Sequence, residues 1–131
     1  MSQTAQPYFE PAVEQGVLVL SVTRRQIEGE DIAAGMKDEL ESLVDQFQAT
    51  RVVIDFSRCR YVSSIAFWPL LALRRRLADT QGRMMVCGLT GVVYEVFATT
   101  KMVSSNGTSA APFEMAPDRA AAVSRLAHPA L

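Results

Sequence analysis

Val52, Val53 and Ile54 stand side by side and are followed at once by Asp55. Consecutive β-branched residues favour an extended backbone. Successive side chains of a strand point to opposite faces, so this run puts apolar groups on both faces of any sheet that holds it. A strand of that kind belongs to a sheet covered by helices. Arg51 to Phe56 is therefore read as the central strand of a layered α/β domain. A short polar loop with two adjacent serines, Ser63 and Ser64, comes next. A helical pattern then begins at Ile65, with Ala66, Phe67, Leu70, Leu71, Leu73 and Leu77 on its buried side. Pro69, inside that pattern, predicts a kinked or loosened start.

The flanking segments supply the alternation that such a sheet needs. Tyr8 to Val13 reads as a first strand, confined to an edge by Pro7 and Pro11. Glu14-Gln15-Gly16 turns the chain into the strand Val17 to Val22, giving a leading hairpin. Gly29-Glu30-Asp31 opens a helix with acids in its first turn. Ile32, Met36, Leu40, Leu43 and Phe47 form its apolar stripe, and Lys37, Asp38, Glu39, Glu41 and Asp45 form its solvated side. Arg74-Arg75-Arg76 complement the dipole at the end of the second helix. Met84 to Cys87 is the next strand, and Thr90-Gly91 precede a helix carrying Val92, Val93, Val96 and Phe97. Lys101 to Pro112 reads as a polar, flexible loop, and Phe113-Glu114-Met115 as a short last strand. Pro117-Asp118 start a final helix with Ala122, Val123 and Leu126 facing in. Strands linked through helices imply parallel pairing with right-handed crossovers, and the hairpin makes the sheet mixed.

A chain of 131 residues, 49% of them apolar, suits one domain with a real core. A formal net charge of −1 argues against direct nucleic-acid binding, which rests on phosphate neutralisation. There is no apolar run of the roughly 18 residues that span a bilayer. The N-terminal stretch has neither a basic start nor an apolar core, so no signal peptide is read and a cytoplasmic protein is expected. Cys59 and Cys87 form no CxxC motif and are expected as free thiols. His128 is the only histidine, which argues against a His-based triad and a multi-His metal site. A hydrolase using Ser64 would need a base, and His128 lies in the tail. Neither GxxxxGK[ST] nor GxGxxG occurs. The expectation is a protein that is not an enzyme and carries no metal or cofactor.

A serine pair at a strand–loop–helix junction sits where backbone N–H groups are unpaired and the helix dipole is positive. That place accepts a negative charge, including a phosphate on the serine itself. The residues alone leave two readings open: the serines cap the helix, or Ser64 is modified. Asp55 can accept hydrogen bonds from the serine loop, contact a partner, or cap its own loop. Tyr61, Phe67 and Trp68, with Arg58 and Arg60 nearby, have the composition of an interface hot spot. Core packing is the commoner fate for Phe67, and partial exposure suits Trp68. Ser104 and Ser105 read as ordinary loop serines.

The segments Val53-Ile54-Asp55-Phe56-Ser57 and Tyr61-Val62-Ser63-Ser64-Ile65-Ala66-Phe67 resemble the STAS domain of anti-sigma factor antagonists. The resemblance continues through Gly82 to Leu89 and through Val92, Tyr94, Glu95, Val96 and Phe97. It implies a single STAS-like domain over residues 8–127, with flexible termini at 1–7 and 128–131. It places the modified serine at Ser64, with Ser63 as second choice and in the position the family gives to an acid. Partner binding would fall to Asp55, Ser63, Ser64, Ile65, Phe67 and Trp68. The implied partners are an ATP-dependent serine-kinase anti-sigma factor and a phosphatase, acting on a monomer or weak dimer. Two other readings stand beside this one. One is a STAS scaffold without phosphorylation. The other is a binder of a nucleotide or lipid at the polar edge around Asp55 and Ser64.

Overall fold

The computed structural model describes residues 7–104 and 111–128. The chain runs through β1 (Phe9–Glu14), β2 (Val17–Val22), β3 (Gln26–Ile27), α1 (Glu30–Phe47), β4 (Arg51–Asp55) and β5 (Tyr61–Val62). A 3₁₀ turn (Ser64–Ala66) then leads into α2 (Phe67–Ala78), followed by β6 (Arg83–Cys87), α3 (Gly91–Thr99), β7 (Glu114–Ala116) and α4 (Arg119–Ala127). The main sheet has the order β1-β2-β4-β6-β7. β1 and β2 pair antiparallel, and every other neighbour is parallel. This is the mixed sheet expected, with β4 in the middle.

Alternation along the strands divides the core in two. Leu18, Leu20, Val22, Val52, Ile54, Met84 and Val86 pack with apolar residues of α1, α2 and α3. Val17, Val19, Val53, Met85, Cys87 and Ala116 pack with Ala122, Val123 and Leu126 of α4. Val52, Val53 and Ile54 are all fully buried, which is what their consecutive apolar side chains require. Phe97 is an aromatic hub on the three-helix side. It meets Phe67, Phe56 and Phe113 edge-on at centroid distances of 4.8, 5.3 and 6.3 Å. α4 covers the other side alone. The Asp118 carboxylate caps it by accepting from Ala121 N–H at 2.9 Å, and the Arg51 guanidinium donates to the Leu126 carbonyl at 2.8 Å. Arg119 pairs with Glu14 of β1 at 2.8 Å, which ties the helix to the hairpin.

Several sequence expectations shift. The buried stripe of α1 is Ala33, Met36, Leu40 and Val44, while Ile32 and Leu43 flank it and Phe47 is 37% exposed. Spacings of three, four and four keep a straight helix on one face, and Phe47 falls beyond the sheet's reach. In α3, Val93 and Phe97 are the buried residues, and Val92 is 46% exposed. β7 lies one residue later than expected, because Phe113 turns into the aromatic hub. The polar loop expected over residues 101–112 lies partly outside the described residues. Of the described part, Val103 is buried and Phe113 N–H donates to the Met102 carbonyl at 3.0 Å. The termini expected to be flexible lie outside the described residues, apart from Pro7 and His128.

β3 and β5 form a second, two-stranded parallel ribbon that periodicity did not announce. Gln26 pairs with Tyr61 and Ile27 with Val62. Gly82 shows how tightly the sheet's other end is closed. A Cβ there would lie 2.3 Å from the Thr50 carbonyl oxygen, so only glycine fits between α2 and β6.

Candidate functional site

The serine pair is delivered by the ribbon. Ser63 has an extended backbone, φ −97° and ψ 166°, and its N–H donates to the Ile27 carbonyl at 2.9 Å. Its own carbonyl accepts Ala66 N–H at 3.1 Å, which closes the 3₁₀ turn. Ser64 is the first residue of that turn and is exposed. The turn passes into α2 without a break, and Pro69 is the third residue of α2. That position is within the first turn, where an N–H would have no intrahelical acceptor. The loosened start expected from Pro69 is thus a tighter 3₁₀ entry, and Pro69 removes no α-helical bond.

Neither serine side chain caps the helix. Both hydroxyls are free of hydrogen bonds to the described residues. The capping reading is therefore not what the fold shows. Ser63 is half-buried. Trp68 follows Ser64 by four residues, across the 3₁₀ turn and into the start of α2. Trp68 is 47% exposed and Tyr61 39% exposed, and Ile65 is half-buried. Phe67, their neighbour, points the other way and is 5% exposed against Phe97. Tyr61, Ser63, Ser64, Ile65 and Trp68 are thus accessible along one short stretch of chain, in which Phe67 is buried.

Asp55 does not join that surface. It is 7% exposed, and its Oδ1 accepts Ser57 N–H at 2.9 Å, forming a local turn after β4. No hydrogen bond links it to Ser63 or Ser64. It lines instead a recess of about 350 Å³ with Ser57, Gly88, Thr90 and Asp118 on the α4 side. Gly88, at φ +71°, lets the backbone pass close by, since a Cβ there would sit 2.8 Å from Asp55 Oδ1. Asp55 and Cys87 are register partners across β4 and β6. Burial first, and then the Asp55 carboxylate, push the Cys87 thiol from 9.0 up to about 12. Burial also raises the Cys59 thiol, against the opposing effect of backbone hydrogen bonds at Tyr61 and Arg60. Both cysteines are free and buried, and they belong to separate core clusters.

Sequence reasoning missed the contribution of β3 and of Arg25 just before it. Arg60 N–H and Tyr61 N–H both donate to the Arg25 carbonyl, at 2.7 and 3.1 Å. The only sequence signal was a lone apolar residue, Ile27, among polar neighbours. Among the described residues no group of three His, Cys, Asp or Glu side chains could hold a metal ion. No helix among them is long and apolar enough to cross a membrane.

Known structures share this architecture. The anti-sigma factor antagonist SpoIIAA in its unphosphorylated form matches with a TM-score of 0.71 at 16% identity, over 94% of this chain and 99% of that one. A serine-to-glutamate variant of RsbS from Moorella thermoacetica matches with a TM-score of 0.66 at 14% identity, over 90% of this chain and 93% of that one. At such identities the likeness is one of fold. By sequence, a candidate anti-sigma factor antagonist, BtrV of Bordetella bronchiseptica, is 33% identical over 72 residues. That stretch is 55% of this chain and 61% of BtrV, so less than two thirds of the relative is matched. The family model of the STAS domain matches residues 8–120, nearly the whole described fold, and the chain belongs to the STAS domain family.

Proposed function

We propose that this protein is a cytoplasmic regulator of the anti-sigma factor antagonist type. Its Ser64 surface docks a serine-kinase anti-sigma factor, and phosphorylation of Ser64 controls that docking. The observation that carries this reading is the state of Ser64 itself. It is exposed, its hydroxyl is uncommitted, and it opens the turn into α2, with exposed Trp68 four residues further on. A kinase can reach such a hydroxyl without unfolding the domain. The family membership and the likeness to antagonists support the choice of partner.

A switch at Ser64 needs a charge that the fold tolerates and a docked partner does not. A phosphate adds about −1.5 to −2 charges at pH 7. The unpaired N–H groups at the start of the turn and the positive end of α2 tolerate that charge, so the fold persists. A partner seated over Trp68, Ile65 and Tyr61 would instead bury it, and an unpaired buried charge is costly. Ser63 is the second candidate acceptor. Phe67 acts by holding the helix start, and Asp55, on the α4 side, by holding the loop after β4. The protein is then a ligand and kinase substrate rather than a catalyst, and a separate phosphatase returns it to the binding form.

Incubation with ATP and candidate serine kinases from the same genome, followed by phosphopeptide mass spectrometry, tests the assignment. The expected result is one phosphate, on Ser64, lost in the Ser64→Ala variant. Docking without any modification would favour the scaffold reading.

A further inference from the structure

The loops after β2 and β4 meet at one fixed point. The Arg25 carbonyl accepts from both Arg60 N–H and Tyr61 N–H. The Cys59 thiol, 2% exposed, lies 3.4 Å from the Tyr61 carbonyl and 3.7 Å from that of Arg25. Three arginines stand on this knuckle. Arg25 and Arg60 are exposed, and among the described residues neither has a carboxylate at ion-pair distance. Arg58 meets Glu10 at 3.2 Å, but the side chains are 60% and 63% exposed, and a pair so solvated holds weakly.

Several other arginines of the fold are committed internally, while Arg74 and Arg75 stand exposed towards the end of α2. Arg51, Arg76, Arg83, Arg119 and Arg125 each bond a carboxylate or carbonyl of the chain. The knuckle differs from a solvated charge run in two ways. Its charges come from two loops far apart in sequence, and their backbone is locked. It also continues directly into exposed Tyr61 and so into the Ser64 surface. Arginine beside exposed aromatics on a rigid base is hot-spot composition. A guanidinium fork matches a carboxylate in shape and charge.

We infer that the knuckle of Arg25, Arg58 and Arg60 is a docking platform for an acidic segment of a protein partner. This deepens the reading of the Ser64 surface as a docking face and rests on it. So small a basic patch on a chain of net charge −1 neutralises too few phosphates for a nucleic acid.

The test uses the full chain, a fluorescein-labelled Asp/Glu-rich peptide and a single-stranded oligonucleotide of similar charge. Amide shifts in a ¹H–¹⁵N spectrum should move first at residues 24–27 and 58–62 on adding the peptide. Arg25→Glu with Arg60→Glu should weaken the peptide about tenfold or more at low salt, as like charges replace complementary ones. The milder Arg25→Gln with Arg60→Gln should weaken it less, and Arg74→Glu with Arg75→Glu should leave it unchanged. The spectra also report whether each variant is folded. Shifts centred on residues 74–76, unchanged binding by both double variants, or tighter binding of the oligonucleotide at the knuckle would overturn the platform. None of these measurements involves a kinase or Ser64. Their failure therefore leaves the phosphorylation result standing, and a failure of phosphorylation leaves the peptide result standing.

Discussion

Phe67 and Trp68 are adjacent in sequence and opposite in fate. Phe67→Ala would empty one side of the aromatic hub around Phe97, and the expected loss is about 3–5 kcal/mol. Trp68→Ala, at a 47% exposed position, should cost no more than about 1 kcal/mol. Urea unfolding followed by circular dichroism separates them, since Trp68 is the only tryptophan and fluorescence is lost with it. Equal losses would put Trp68 in the core and remove it from the docking face. Cys87 offers a pH test. Its thiol ionises near 9.0 ordinarily and near 12 in the fold, so the folded chain holds that proton more tightly. The contribution to stability is complete below the unfolded value and is lost as pH rises from there toward the folded one. Cys87→Ala should therefore flatten the fall in stability measured between about pH 8 and about pH 10.5. An unchanged slope would mean that the thiol ionises alike in both states.

The elements differ in how far the sequence announced them. β4 was legible because its consecutive apolar residues are β-branched and end at once in Asp55, which suits a short doubly covered strand. The start of α4 was legible from Pro117-Asp118, and Asp118 does cap it. Asp118→Ala should cost about 0.5–2 kcal/mol and speed amide exchange in the first turn of α4; unaltered exchange there would show that the arginine contacts alone hold the helix. The β3–β5 ribbon was not legible. Two residues carry no period, and each strand is stabilised only by a partner brought from another loop. The serine pair was legible as a junction, since polar residues between a strand and an amphipathic pattern mark one. Its hydroxyls' lack of capping bonds was not, because the 3₁₀ entry is set by Ser63 binding to Ile27 across that same ribbon. Asp55 was legible as a loop-former, but its separation from the serines was not, because it follows from strand alternation that puts Asp55 on the α4 side with Val53.

At the scale of the molecule, three helices cover one face of the sheet and α4 the other, while Ser64 stands outside both cores. Charge added at Ser64 therefore changes the surface and leaves the packing alone. Ser64→Ala removes no cap and should shift stability by no more than about 0.5 kcal/mol, and Ser64→Glu should stay folded at the favourable end of a helix. A large drop in melting temperature for either would contradict that placement. The central claim is that the Ser64 surface docks a serine-kinase anti-sigma factor and that negative charge there releases it. It is tested most directly by calorimetric titration of that kinase, from the same genome, into wild type, Ser64→Ala and Ser64→Glu. Wild type and Ser64→Ala should bind alike, and Ser64→Glu should bind at least about tenfold more weakly, which is about 1.4 kcal/mol. Equal binding by all three would contradict the account.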